Sequence, residues 1–372
     1  MFKAGLAIRI LAAVISSALI LSGNLLAQAQ GIQRITLEEA QAKAQAGAGK
    51  VASLARLGID AARYHRKAAQ ADYLPKIGAT FFNLHFNKFM GQTFELGRRF
   101  QLVNRTAELP LLVKDLTIFA ATVTQPVTPL FKVREAVRIA RADEAIAEAK
   151  ATQMLAQVAA NIETIYFRLL VAHHRQTDAT LSELRQTMNT LIGYPVDTPL
   201  ELSAPEPASD TFSLEEATQQ ALMNSPEVVE AQQTVVKAKA AVRLSKLAYV
   251  PDVAVIGGYF FQNAIPVLPR DFSFVGVEAS LNIFDFGKRE NTINESQTRL
   301  SMAEANLELV RMKVAANARN AFFQLQRNRE IRNAAWEVAN VTRQQKAEAD
   351  MFQAELDYRT ARHQLKQVMD GQ

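Results

Sequence analysis

Few residues in this chain combine types and spacing suited to chemistry. Gly47-Ala48-Gly49-Lys50 has the glycines and lysine of a phosphate-cradling loop. It lacks the first glycine at the required spacing, and Val51 stands where a Ser or Thr would hold magnesium. His173 and His174 are adjacent. Neighbouring helix positions point in different directions, whereas metal ligands sit three or four residues apart, so a solvated pair is expected. His65, His85 and His363 are isolated. The carboxylate pairs Glu38-Glu39 and Glu215-Glu216 are explained by helix capping and the helix dipole, not by two-carboxylate catalysis. The absence of cysteine excludes disulfides, thiolate metal sites and cysteine nucleophiles. We therefore expect no catalytic residue, no metal, no cofactor and no enzymatic activity.

Composition narrows the remaining classes. With 372 residues, 49% of them hydrophobic, the chain can bury a sizeable core or fill two ordinary domains. The 42 Lys plus Arg are interspersed with 37 Asp plus Glu, a mild excess that does not point to nucleic acid. Frequent Ala, with 15 Gly and 12 Pro, favours long helices over an all-β fold. At the start, Lys3 and Arg9 precede an uncharged run from Ile10 to Gly23 and the small-residue pattern Ala27-Gln28-Ala29. This is the layout of a secretory signal peptide over 1–29. The run is short of the roughly 20 apolar residues a spanning helix needs, and no later stretch is expected to span as a helix either.

The elements that would position any site come in two copies. Thr36-Leu37-Glu38-Glu39-Ala40 recurs as Ser213-Leu214-Glu215-Glu216-Ala217, and Leu74-Pro75-Lys76-Ile77 as Val250-Pro251-Asp252-Val253. Val158-Ala159-Ala160-Asn161 is repeated at Val314-Ala315-Ala316-Asn317. Matches in the same order argue for duplication: a first repeat over 30–194, a Pro-rich linker over 195–211 and a second repeat over 212–372. Each repeat opens with a capping box, Thr36 with Glu39 and Ser213 with Glu216. Helices should run from there to about Tyr73 and Ala248, because Pro75 and Pro251 push the preceding residues out of the α region.

Two strands per repeat are expected next, about 77–86 and 116–125, then 253–262 and 272–283. In the last, Val275, Val277, Ala279, Leu281 and Ile283 alternate with Glu278, Ser280 and Asn282. At about ten residues each, these segments match tilted transmembrane β-strands, and phenylalanines such as Phe81, Phe82, Phe260, Phe272 and Phe274 suit a lipid-facing band. An ordinary soluble sheet has the same alternation. Long helices should follow from near Lys132 and Lys288. Leu300, Leu307, Val314 and Ala321 form a heptad column in the second, and Ala151, Val158 and Ile165 in the first. Asn161 and Asn317 occupy equivalent seam positions, where a polar residue can fix register or simply face solvent. From Lys132 to His174 such a helix would extend about 65 Å. Four strands cannot close in a membrane, so lipid-embedded strands would have to be pooled with copies of the chain.

With these features the chain resembles the TolC-like outer-membrane efflux protein family. The resemblance rests on the duplicated helix, strand, strand, helix order and the Leu-Glu-Glu-Ala helix starts. It rests also on the junction prolines Pro75 and Pro251, on Ile283-Phe284-Asp285-Phe286-Gly287-Lys288-Arg289 and on Leu191-Ile192-Gly193-Tyr194-Pro195. It implies a mainly helical fold with a small β part: long coiled-coil helices and four transmembrane strands per chain. It also implies a homotrimer with a 12-stranded barrel in outer-membrane lipid and an α-helical tunnel across the periplasm. A periplasmic adaptor and an inner-membrane transporter would be the partners in efflux or type I secretion.

One departure stands out. Only 24 positions separate Leu169 from Gly193, against 47 from Leu325 to the C-terminus, so the return of the first hairpin is short. The segment 347–352 reads as an abrupt join. No gating or docking residue carries over, and a membrane-anchored, non-exporting homologue is the alternative; a soluble periplasmic coiled-coil scaffold is a third reading. Glu278, Ser280 and Asn282 are the expected lumen lining of a barrel. Arg98, Arg99 and Arg105 fall in a loop between strands, Trp336 reads as a packing residue, and Tyr64 and Tyr73 as interface markers.

Overall fold

The computed structural model describes residues 33–370, apart from 49, 89, 96–105, 113, 176–177, 204–212, 264, 266–267 and 343–344. The signal-peptide segment, Arg98, Arg99, Arg105 and most of the Pro-rich linker lie outside the described residues. The chain divides into two compact units, each drawing on both halves of the sequence. One comprises residues up to 55 with 152–223 and 315–372, the other 56–151 with 224–314.

In the first unit, strand β1 (Gln33–Ile35) leads into helix α1 (Leu37–Lys43). The capping box forms as read: the Glu39 N–H donates to Thr36 Oγ1 at 3.2 Å and the Thr36 N–H to Glu39 Oε2 at 3.1 Å. The expected single helix is interrupted by a π-helical turn, Ala44–Ala48, before α2 (Lys50–Ala71). Gly47, a poor helix former, lies in this turn. The turn also removes the open loop that a phosphate cradle requires. The second capping box is equally complete at Ser213 and Glu216. Here too the expected helix is split, into α5 (Leu214–Asn224) and α6 (Pro226–Lys246), because Pro226 has no N–H to donate and begins a new helix.

The second unit holds the sheet. β2 (Lys76–His85) and β5 (Asp115–Pro126) form one antiparallel hairpin, and β7 (Asp252–Gln262) and β8 (Asp271–Ser280) another. The order is β2-β5-β7-β8, so the hairpins join through antiparallel β5 and β7, from Ile118 opposite Gln262 to Pro126 opposite Ala254. Three strands match their expected bounds within a residue. The fourth stops at Ser280 instead of Ile283, because Ser280 already pairs with Asp252, the first residue of β7. Beyond it stands Pro251, which cannot extend the ladder. A further hairpin, β3 (Met90–Glu95) with β4 (Thr106–Leu112), occupies a stretch expected to be loop. Its Gly91 and Pro110 obscured the strand pattern.

Helix α3 (Pro129–Arg175) runs through both units, with Pro at its first position, and returns only through α4 (Asp178–Ile192), 15 residues against 47. After α4 comes β6 (Leu200–Leu202), parallel to β1. Helix α7 (Lys288–Thr342) begins where expected and is followed by α8 (Gln345–Asp370), 26 residues against 55. Segment 347–352 lies within helix α8. Contrary to expectation, α3 is long and apolar enough to cross a bilayer by length and composition alone, though more than half of its most apolar stretch is buried within the protein.

The core of the first unit gathers Ile35, Leu37, Ile162, Tyr166, Phe167, Met188, Ile192 and Leu356. Tyr166 is fully buried, and its hydroxyl donates to the Ile35 and Ser203 carbonyls at 3.1 and 2.7 Å. Trp336 packs against this core, as expected. In the second unit the buried seam is built largely of small residues, among them Ala140, Ala142, Ala149, Ala231 and Ala240. Such residues allow helices to approach closely. One carboxylate, Glu135, is buried there and accepts from Arg138 at 2.7 Å and Arg243 at 2.8 Å.

Candidate functional site

The four-stranded sheet carries the features that bear on function. Side chains alternate across a strand, so the register assigns every residue to one of two faces. On one face stand Ile77, Phe81, Phe119, Val123, Val255, Tyr259, Val275 and Val277. All eight are more than a third exposed, and Ile77 and Val275 more than four-fifths. The charged residues of this face, Asp115 and Asp271, lie where the strands of each hairpin connect, and His85 accompanies them, its Nδ1 2.6 Å from Asp115 Oδ1. The other face carries Lys76, Asp252 and Glu278 at the opposite end, next to the helices, with Thr80, Thr122 and Thr124. The first face is the more apolar; the second is polar at its helix end but also carries Leu84, Ile118 and Ile256.

Glu278 and Ser280 both stand on this polar face, exposed; Asn282 lies beyond the strand, also exposed. The phenylalanines, expected together in a lipid band, divide instead: Phe81 and Phe261 on the apolar face, Phe82, Phe260, Phe272 and Phe274 on the polar one. Both sheet edges, β2 and β8, have no pairing partner among the described residues.

The helix end of the sheet is secured at the junctions. Pro75 and Pro251 directly precede β2 and β7. Thr128, which sequence reasoning missed, donates its hydroxyl to the Pro251 carbonyl at 2.6 Å and accepts the Val253 N–H at 2.7 Å. Lys132 on α3 pairs with Asp252 at 2.5 Å. Gly287 has φ +81°, a left-handed conformation that glycine adopts freely, and it turns the chain into α7. Asp285 accepts from Arg289 Nε at 2.6 Å. At the connection end, buried Gln262 donates to the Pro269 carbonyl and accepts the Ile265 N–H at 2.7 Å. Asn263 accepts from the Thr117 N–H at 2.6 Å, which ties the two hairpins together. Nothing in the sequence pattern announced these two amides.

Among the described residues no group of His, Asp or Glu is arranged to hold a metal. Asn161 and Asn317 are exposed on α3 and α7; Asn161 accepts from Gln157 at 3.1 Å. The densest buried charge lies in the first unit, where Arg359 donates to Glu355 at 2.6 Å and Glu163 at 3.5 Å. Burial holds the Glu163 carboxyl above the usual carboxylate range, and burial holds His363, with Nδ1 3.7 Å from Glu163, below the ordinary imidazole value. A cavity of about 460 Å³ in the same unit is lined by Leu169, Leu181, Arg185 and Leu200 among others.

Residues 217–368 match the sequence pattern of the family described as outer membrane efflux protein. No curated protein matches the chain in sequence. In fold the chain is similar to the outer membrane protein VceC of Vibrio cholerae, with a TM-score of 0.62 at 12% identity, covering 90% of this chain and 96% of that one. It is similar also to the CmeC outer membrane channel of Campylobacter jejuni, with a TM-score of 0.61 at 12% identity, covering 90% and 86%. The MtrE outer membrane channel of Neisseria gonorrhoeae gives a TM-score of 0.62 at 11% identity, covering 89% and 88%. Residues 217–368 thus carry the outer membrane efflux protein pattern and the chain carries the fold of outer-membrane channels, which establishes the TolC-like resemblance read from the sequence.

Proposed function

We propose that this chain is the outer-membrane channel component of an efflux or type I secretion system. Three copies pool their sheets into a 12-stranded barrel in outer-membrane lipid, continued by an α-helical tunnel into the periplasm. The assembly is a passive conduit for small molecules or proteins, without catalysis or cofactor. A periplasmic adaptor couples it to an inner-membrane transporter that supplies the energy. Residues 1–29 direct export, and the repeats 30–194 and 212–372, joined by 195–211, give each copy two like units.

The observation that carries this reading is a four-stranded sheet with one largely apolar face, a second face that is charged at its helix end, and two open edges. Hydrocarbon offers no partner for unpaired edge groups, and about eight strands are the fewest that close as an outer-membrane barrel. Pairing β8 of one copy with β2 of the next removes every edge. The polar face then lines the lumen, with Glu278 and Ser280 on the wall and Asn282 at its helix end. Asn161 and Asn317, exposed at matching points of α3 and α7, serve as register-setting residues of the helix seam.

Single-channel recording of the detergent-extracted protein in a planar bilayer tests the conduit. Discrete conductance steps are expected, and Glu278→Lys should shift selectivity toward anions. Insertion as an oligomer without conductance would favour the anchored, non-exporting alternative, for which the 15-residue α4 is the supporting observation. Unchanged selectivity would remove Glu278 from the lumen.

A further inference from the structure

The lumen face proposed above changes character along its length. Next to the helices it carries Lys76, Asp252 and Glu278; toward the hairpin connections it carries Phe82 opposite Ile118 and Phe260 opposite Phe272, with Phe274 opposite Gly258. The Phe260 and Phe272 rings are 5.2 Å apart and tilted by 35°. The Phe274 ring lies across Gly258, where a Cβ would stand 3.1 Å from two of its atoms. An aromatic side chain covering a cross-strand glycine is a recurrent packing device in sheets. These rings remain open to solvent: Phe82 is 53% exposed, Phe272 41% and Phe274 37%. The apolar row also reaches both open edges, through Phe82 on β2 and through Phe272 and Phe274 on β8.

Resting on the channel reading, we propose that these side chains form an aromatic collar around the lumen at the connection end of the barrel. The collar selects solutes that carry an aromatic or apolar body. Joining the open edges makes the row continuous from copy to copy. Ring faces gain from burying apolar area and from stacking with other rings, whereas a hydrated ion gains nothing from them. The charged belt near the helices and the collar at the far end therefore make different demands, and an amphiphilic solute satisfies both.

The test uses the full-length protein in a planar bilayer with two neutral probes that differ only by a ring, N-acetylphenylalaninamide and N-acetylalaninamide. In wild type the phenyl compound should reduce the ionic current at about tenfold lower concentration than its aliphatic counterpart, the scale expected of ring contacts plus apolar burial. The double variant Phe272→Ser, Phe274→Ser should erase that difference while still conducting, and Phe272→Leu, Phe274→Leu should retain part of it. If the double serine variant does not insert, Phe82→Ser, on the opposite edge of the sheet, should reduce the difference. Equal action of the two probes on wild-type channels overturns the collar, as does a serine variant that keeps the difference. Wild-type protein that inserts without conducting overturns the channel reading and the collar with it.

Discussion

Replacing Gly258 by Ala tests how tightly β7 is held between its neighbours. The added Cβ would stand 2.5 Å from the Ala121 carbonyl oxygen and 3.1 Å from the Phe274 ring. The ring can swing away. The carbonyl belongs to β5, whose pairing with β7 is the joint between the two hairpins, so it cannot retreat without loosening that joint. Overpacking of this kind destabilises by about 1–2 kcal/mol, a factor of about 5–30 in the folded population. Gly276 is the internal control: its Cβ would meet only Ile256 Cγ1, at 3.9 Å. Gly276→Ala should be neutral or stabilising by about 0.4–1 kcal/mol, since it restricts the unfolded chain. The assay is the temperature at which the purified oligomer loses its folded mobility on a semi-native gel. The expected order is Gly276→Ala at or above wild type, then Gly258→Ala, then Gly258→Val. A Gly258→Ala protein as stable as wild type would refute the reasoning. Full rescue by adding Phe274→Ala would do so in part, by showing that the ring and not the backbone is the obstacle.

Two further predictions concern the first unit and the helix starts. Burial raises the Glu163 carboxyl, so its contribution is present below the ordinary carboxylate value of 4.5 and is lost as pH rises through the raised one. Burial lowers His363, so its contribution is present above 6.5 and is lost as pH falls through the lowered value. Denaturant midpoints measured from pH 4 to 8 should lose their decline toward high pH in Glu163→Gln and their decline toward low pH in His363→Gln; unchanged profiles would contradict the burial argument. Thr36→Ala and Ser213→Ala should each destabilise by about 1 kcal/mol through loss of a helix cap, read as lowered melting temperatures. Little change in either would mean that water replaces the cap.

Much of the local structure was legible in the sequence because its signals act over a few residues. Capping at Thr36 and Ser213 is a contact between positions three apart. Pro75 and Pro251 terminate helices sterically, and a period of two marks β2, β5, β7 and most of β8. That Glu278 and Ser280 share a face followed from that same period.

Only the tertiary structure decided how those pieces meet. That β5 pairs with β7, setting Ile118 opposite Gln262, is a choice among strands more than a hundred residues apart, made by backbone hydrogen bonds that any strand can offer. That choice also brought Asn263 to Thr117. The separate pairing of β7 with β8 ended β8 at Ser280, since a strand extends only as far as its partner. In the helices, the charge of Arg243 was visible in the sequence, but its pairing with Glu135 was not. Local sequence sets which residues can share a face, and long-range register sets what that face touches.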